Sequence, residues 1–112
     1  MFVRNALRHA RFDPDKMGRS TLCQGDFLFA GLNAFEPGQR HAAHTHAGQD
    51  KLYFVLQGSG LVRIGDVEET LAAGDAALAP SGVLHSIQNT GPERLVVMTV
   101  MAPPPGQPSA RA

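Results

Sequence analysis

The chain has 112 residues, 43% of them hydrophobic, which is enough for one small domain with a single core. Ten basic residues balance ten acidic ones, so the chain lacks the positive field that non-specific nucleic-acid binding requires. No apolar run approaches the roughly 20 residues that span a bilayer. We therefore expect neither nucleic acid nor membrane as a partner.

Cys23 is the single cysteine of the chain. It excludes an internal disulfide and the paired cysteines of structural zinc sites. The first residues are not followed by the apolar core of a signal peptide. We expect a cytoplasmic protein in which Cys23 is packed and inert, because no activating cation lies closer in sequence than Arg19.

The first 25 residues show no clear periodicity, although residues 5–12 could form one or two helical turns. We expect residues 1–25 to form an N-terminal arm. From residue 26 onward, short apolar runs alternate with turn residues every eight to twelve positions, which is typical of an all-β sandwich or barrel. The predicted strands lie in residues 27–35, 51–56, 61–64, 67–71, 76–79, 85–89 and 95–101.

Two of these strands should form a hairpin around Gly65 and Asp66, because glycine accepts the positive φ that a two-residue turn requires. The last ten residues, 103–112, begin with three prolines and have no apolar periodicity. They predict a flexible, proline-rich tail. The domain organisation expected is thus an arm (1–25), a barrel (26–102) and a tail (103–112).

Two histidine motifs lie about forty residues apart in the barrel region. The first has the form G-x5-H-x-H-x4-K-x6-G, and the second has the form G-x5-P-x-G-x2-H-x3-N. Histidines two apart on an extended strand project to one side, and a third from another strand can complete a metal site. The motif positions are Gly38, His44, His46, Lys51, Gly58, Gly74, Pro80, Gly82, His85 and Asn89.

Both motifs resemble those of the cupin superfamily, and the resemblance covers about residues 26–102. It implies a double-stranded β-helix, or jelly-roll barrel, in which His44, His46 and His85 bind a divalent metal. The second motif matches without departure. The first departs at Lys51, where glutamate is usual in the family.

The departure leaves the remaining metal coordination open, because a protonated lysine has no lone pair to offer. Three histidines alone, with water or substrate in the other positions, are the first alternative. Gln49, on the same face of an unbroken strand as Lys51, is the second, and Asp50 after a local bulge is the third. Asp50 and Lys51 could also be a solvated pair at the start of the strand.

Metal identity follows only weakly from imidazole ligands, which suit iron(II), zinc, nickel, manganese or copper. Loss of the carboxylate leaves room for a bidentate substrate and slightly favours iron(II). Alternation places Tyr53 and Val55 on the same strand face as Lys51, so Tyr53 is a candidate catalytic acid or substrate ligand as well as an ordinary buried tyrosine. His41, outside the motif, is expected to be exposed at the rim, and Arg40 and Gln57 are further polar candidates there.

The function expected is a metal-binding domain that holds a small polar or carboxylated molecule in its barrel. A dioxygenase is slightly favoured, because three-histidine cupin sites resemble those of iron-dependent dioxygenases. Alternatives are a non-catalytic ligand-binding or sensor module, and an isomerase or decarboxylase. Small barrels of this type also resemble homodimers, with residues 1–25 as a possible cover for an exposed sheet edge.

Overall fold

The computed structural model describes residues 1–106, so the predicted tail from residue 107 onward lies outside the described residues. The chain forms one turn of 3-10 helix, Ala6–His9, and is otherwise built from strands. The strands are β1 (Gly18–Gln24), β2 (Phe29–Phe35), β3 (Arg40–His44), β4 (Asp50–Gln57), β5 (Ser59–Ile64), β6 (Val67–Ala72), β7 (Ala76–Ala79), β8 (His85–Gln88) and β9 (Leu95–Ala102).

The strands form two antiparallel sheets. The order is β1-β2-β9-β4-β7 in the first sheet and β3-β8-β5-β6 in the second. The chain crosses between the sheets repeatedly: β3, β8 and the β5–β6 hairpin lie in one sheet, and the other five strands lie in the other. This is the all-β double-stranded β-helix that the sequence predicted.

The core lies between the two sheets, and strand alternation determines which side chains enter it. Tyr53, Val55 and Val97 of the first sheet meet Val62 and Ile87 of the second, and all are buried. Lys51 shares the inward face with Tyr53 and Val55, as the alternation predicted. Burial of these apolar side chains drives the sheets together.

The predicted hairpin is confirmed. Ile64 pairs with Val67, and Gly65 adopts a φ of 61° in the two-residue turn between β5 and β6. The turn sets the register of β6 against β5. β5 also pairs with β8, the strand that begins at His85.

The chain begins with elements that the sequence pattern did not resolve. Within residues 1–25, β1 pairs with β2 and forms one edge of the five-stranded sheet. Its register shifts between Thr21 and Cys23, so a bulge interrupts the alternation by which a strand is recognised. At the other end of the described chain, Pro104 is buried and the Pro103 carbonyl accepts a hydrogen bond from Gln49. Within residues 1–106, no helix has the length and apolar character required to cross a membrane.

Candidate metal centre

Three histidines meet at one end of the barrel. His44 ends β3, His85 begins β8, and the two residues pair directly across the sheet. His46 lies just beyond β3 and joins them, so that the potential ligand nitrogens of the three rings lie within 4.8 Å of one another. The three residues that the cupin resemblance named are thus brought together.

Hydrogen bonds fix the tautomer of two of these rings. The Nδ1 atoms of His44 and His85 lie 2.7 and 2.9 Å from the carbonyl oxygens of Ala42 and Val83. A carbonyl can only accept, so each Nδ1 must donate, and each Nε2 therefore carries a lone pair. Both Nε2 atoms are buried and have no hydrogen-bond partner among the described residues. Two unpartnered lone pairs at one point are what a divalent metal requires, so the residues fit such an ion.

The protonation state of the cluster also suits a metal. Burial lowers the pKa of all three histidines, and it lowers that of His46 to about 4 with a further contribution from His44. The rings are consequently neutral at pH 7, which is the form that binds metal ions.

Two loops are tied together around the cluster. The Gly82 amide donates to the His46 carbonyl at 3.0 Å, the Gly48 amide donates to Ser81 Oγ at 2.8 Å, and the Ser81 amide donates to Asp50 Oδ1 at 2.9 Å. Gly82 has a φ of 79°, a backbone conformation that residues other than glycine rarely adopt. These contacts hold the segment carrying His46 against the turn that precedes His85.

Asp50 and Gln49, the sequence-based candidates for a fourth ligand, have other partners. Asp50 is exposed and its carboxylate accepts the Ser81 hydrogen bond. The Gln49 amide nitrogen donates to the Pro103 carbonyl at 3.0 Å. Among the histidine, cysteine and carboxylate side chains of residues 1–106, the group that could hold a metal consists of the three histidines.

Lys51 is buried, with 4% of its surface exposed, and is not a solvated residue at the strand start. Its Nζ lies 5.0 Å from the centre of the Tyr53 ring. Burial, and secondarily the nearby Arg19, lower the pKa of Lys51 from 10.5 to about 8, so the side chain is still protonated at pH 7. A positive charge therefore stands in the interior at the position where the family usually has a carboxylate.

Tyr53 points into the barrel, as alternation predicted, and is fully buried. Its ring centre is 6.0 Å from that of His85, and its hydroxyl has no partner among the described residues. Burial raises the pKa of Tyr53. The hydroxyl therefore stays protonated at neutral pH and can donate or accept a hydrogen bond.

The expectation that His41 is exposed at the rim is wrong. His41 is half-buried, its ring centre lies 4.2 Å from that of His44, and it lines the cavity described below. The register of β3 against β8 shifts between His41 and His44. A bulge there brings to the same side two residues that regular alternation would separate.

A cavity of about 380 Å³ adjoins the histidines. His46, His41 and Lys51 line it on one side, and Arg19 lies at its exposed margin. Buried polar residues Asn33 and Thr99 also face it, and no aspartate or glutamate is among its lining residues. The space is of the size that small-molecule sites occupy.

Asn89, the last residue of the second motif, has a structural role. It is buried, its Nδ2 donates to the carbonyls of Phe35 and Glu93, and its Oδ1 accepts from the Gly91 amide. These bonds close the loop between β8 and β9 and hold it to the end of β2.

Comparison with known proteins agrees with the fold and the motifs. The family model described as "Cupin domain" matches residues 31–101. An oxalate-binding protein of Thermotoga maritima is 34% identical over 74 residues, which are 66% of this chain but only 60% of that protein, less than two thirds of its length.

Two solved structures are similar over most of the chain. A protein of Thermus thermophilus is 37% identical, with a TM-score of 0.89 over 94% of this chain and 100% of that one. A conserved protein with a double-stranded β-helix domain from Klebsiella pneumoniae is 25% identical, with a TM-score of 0.85 over 94% of this chain and 92% of that one.

Proposed function

This chain belongs to the cupin family, and on that premise we propose that it binds a divalent metal through His44, His46 and His85 and holds a small polar or carboxylated molecule beside it. The observation that carries the proposal is the pair of buried, unpartnered Nε2 atoms of His44 and His85. An unpaired buried acceptor costs about 1–3 kcal/mol. Two of them at one point are best explained by an ion that uses both lone pairs.

The donor set that we propose is three neutral imidazoles, since the Asp50 carboxylate accepts a hydrogen bond from Ser81 and the Gln49 amide nitrogen donates to the Pro103 carbonyl. It suits iron(II), which we favour slightly, and also zinc, nickel, manganese or copper. When bound, such a metal supplies Lewis acidity and open positions for ligand oxygen atoms.

The chain's own residues shape the rest of the site. The Tyr53 hydroxyl is buried without a partner, and its ring centre lies 6.0 Å from that of His85, so we propose it as a proton donor to an oxygen atom held at the histidines. The volume of the cavity, about 380 Å³, limits the ligand to a small molecule. The oxalate-binding relative supports a carboxylated ligand, since its name describes binding of a small dicarboxylate.

A dioxygenase activity is the catalytic form of this proposal. It is favoured by the absence of a carboxylate from the histidine cluster among the described residues, which leaves more positions open to substrate and oxygen. The alternative is a module that captures its ligand without transforming it. Oxygen consumption by the iron(II)-loaded chain, measured with a panel of thiols, diketones and carboxylic acids, distinguishes the two.

Metal analysis of the purified full chain tests the site itself. We expect about one equivalent of metal in the wild type, and loss of nearly all of it in the His44→Ala/His85→Ala variant. His9→Ala is the matched control, because His9 is exposed on the 3-10 helix, and it should keep the wild-type metal content. Stoichiometric metal in the double variant would refute the assignment.

We also propose that the chain forms a homodimer. Leu52 and Leu78 pair on neighbouring strands at the β7 edge of the first sheet, and both are partly exposed. Phe2 and Leu7 in the N-terminal segment are exposed as well. Light scattering at micromolar concentration tests this, and a monomer would count against it.

A further inference from the structure

Lys51 is a buried cation for which the described residues supply no counter-charge. Only 4% of its surface is exposed, and the one ion pair within residues 1–106 joins Arg94 to Glu36 at the surface. Burial of an unpaired charge costs several kcal/mol unless an opposite charge is brought to it. The side chain lines the cavity beside the histidines, so the counter-charge can come from whatever fills that cavity.

The cavity also carries a surplus of hydrogen-bond donors. The Arg19 Nη2 atom lies 3.4 Å from His41 Nε2, and a guanidinium can only donate, so His41 Nε2 accepts and its Nδ1 carries the proton. That Nδ1 is buried without a partner among residues 1–106, as is Ser20 Oγ. Arg19, Ser20, His41 and Lys51 all line the cavity, and no acidic residue does so in the described part of the chain.

The charges of the metal site also favour an anionic ligand. Three neutral imidazoles bring no negative charge to a divalent ion, and Lys51 stands where the family usually supplies a carboxylate. Negative charge on the ligand is therefore favoured at two places: beside the histidines, and beside the buried Lys51. A small molecule with one carboxylate at each end satisfies both.

We propose that the ligand is a small dicarboxylate dianion, with one carboxylate bound by Lys51, Arg19 and the Nδ1–H of His41 and the other beside the three histidines. The inference rests on the proposed function, which it deepens by naming the ligand class and making Lys51 the residue that selects it. A cavity of about 380 Å³ lies near the lower end of the range for small-molecule sites. It is large enough to admit a dicarboxylate of a few carbons.

Three ligands of nearly the same shape but different charge test whether the site selects a dianion. Malonate, its half-amide malonamate and the diamide malonamide carry two, one and no negative charges on nearly the same skeleton. Binding to the manganese(II)-loaded full chain is measured by isothermal titration calorimetry. We expect malonate to bind roughly 10- to 100-fold more tightly than malonamate, which corresponds to one charge-assisted hydrogen bond, and malonamide to bind weakest.

The Lys51→Met variant tests whether Lys51 is the residue that selects the ligand. It should weaken malonate binding roughly 10- to 100-fold and leave malonamide binding unchanged, and metal content should not fall, because the Lys51 charge acts against positive charge at the histidines. Lys16→Met is the matched control, since Lys16 is the other lysine of the chain and is exposed, and it should bind malonate like the wild type.

The outcomes separate this inference from the proposed function. Equal affinity for malonate and malonamide, no binding of any of the three, or unchanged malonate binding by Lys51→Met would overturn the dianion assignment while metal binding stands. A wild type that binds no metal would overturn the proposed function. The charge series on the metal-free chain then still decides whether the Lys51 end prefers an anion. If Lys51→Met failed to fold, the wild-type series alone would decide.

Discussion

Replacing Lys51 by methionine should stabilise the metal-free, ligand-free protein at pH 7. Methionine keeps the length and most of the volume of lysine but removes the buried charge. The fall of the Lys51 pKa from 10.5 to about 8 corresponds to roughly 3 kcal/mol, at about 1.4 kcal/mol per pH unit. The ammonium lies over the Tyr53 ring, which recovers about 0.5–2 kcal/mol. A net gain of about 1–3 kcal/mol is expected.

The pH dependence of this gain identifies its cause. Below pH 8, Lys51 is protonated in both the folded and the unfolded chain, and the folded protein carries the full cost of the charge. Between pH 8 and 10.5 the unfolded chain binds more protons than the folded one, so wild-type stability rises with pH. Above 10.5 both forms are neutral, and the advantage of methionine should disappear.

Urea unfolding of wild type and Lys51→Met at about pH 7 and about pH 10, after removal of metal with a carboxylate-free chelator such as phenanthroline and in a buffer without carboxylates, measures the gain. Lys16→Met should change the free energy of unfolding by no more than about 0.5 kcal/mol at either pH, because the residue is exposed. A Lys51→Met variant less stable than wild type at neutral pH, or one whose gain is the same at the alkaline pH, would show that the lysine is not an uncompensated buried charge.

Three further expectations concern the surroundings of the histidines. Asn89→Ala removes three hydrogen bonds from a buried loop and should lower the free energy of unfolding by about 3 kcal/mol, measured by thermal or urea unfolding; a loss below about 1 kcal/mol would contradict its structural role. Asp50→Ala removes the acceptor of the Ser81 amide and should weaken metal affinity up to about 10-fold in a competition titration. The effect should be smaller than that of removing a group that is hydrogen-bonded directly to a metal ligand. An unchanged affinity would show that the contact between the two loops is dispensable. Because burial lowers the pKa of His46 to about 4 and also lowers that of its two partners, the fall of metal affinity with decreasing pH should begin at a lower pH than unperturbed imidazoles would give. A decline centred at about pH 6.5 would indicate unperturbed histidines.

The spacing of apolar runs and turns predicted an all-β sandwich or barrel, and the resemblance of the motifs implied the jelly roll. Alternation predicted the inward faces, because period-2 burial is strong wherever a strand is regular. β4 is such a strand: Lys51, Tyr53 and Val55 point inward, and Leu52 is partly exposed on the other face. The hairpin at Gly65 was equally predictable, since the turn and both strands were readable locally.

Irregular backbone limited what the sequence could predict about the other segments. The bulges in β1 and β3 break the alternation, which concealed the edge strand within residues 1–25 and placed His41 at the rim instead of beside His44. The burial of Lys51 was undecided from sequence, because Asp50 next to it offered an equally good solvated pair. Only the pairing of β4 with β7 and β9 shows that the lysine enters the interior without that carboxylate.

Anomalous diffraction from crystals of the metal-loaded protein tests most directly whether the three histidines form a metal site. We expect one strong anomalous peak about 2.0–2.2 Å from the Nε2 atoms of His44 and His85 and within bonding distance of a ring nitrogen of His46. A peak bound to other residues, or a fully loaded protein with no peak among these three rings, would contradict the assignment.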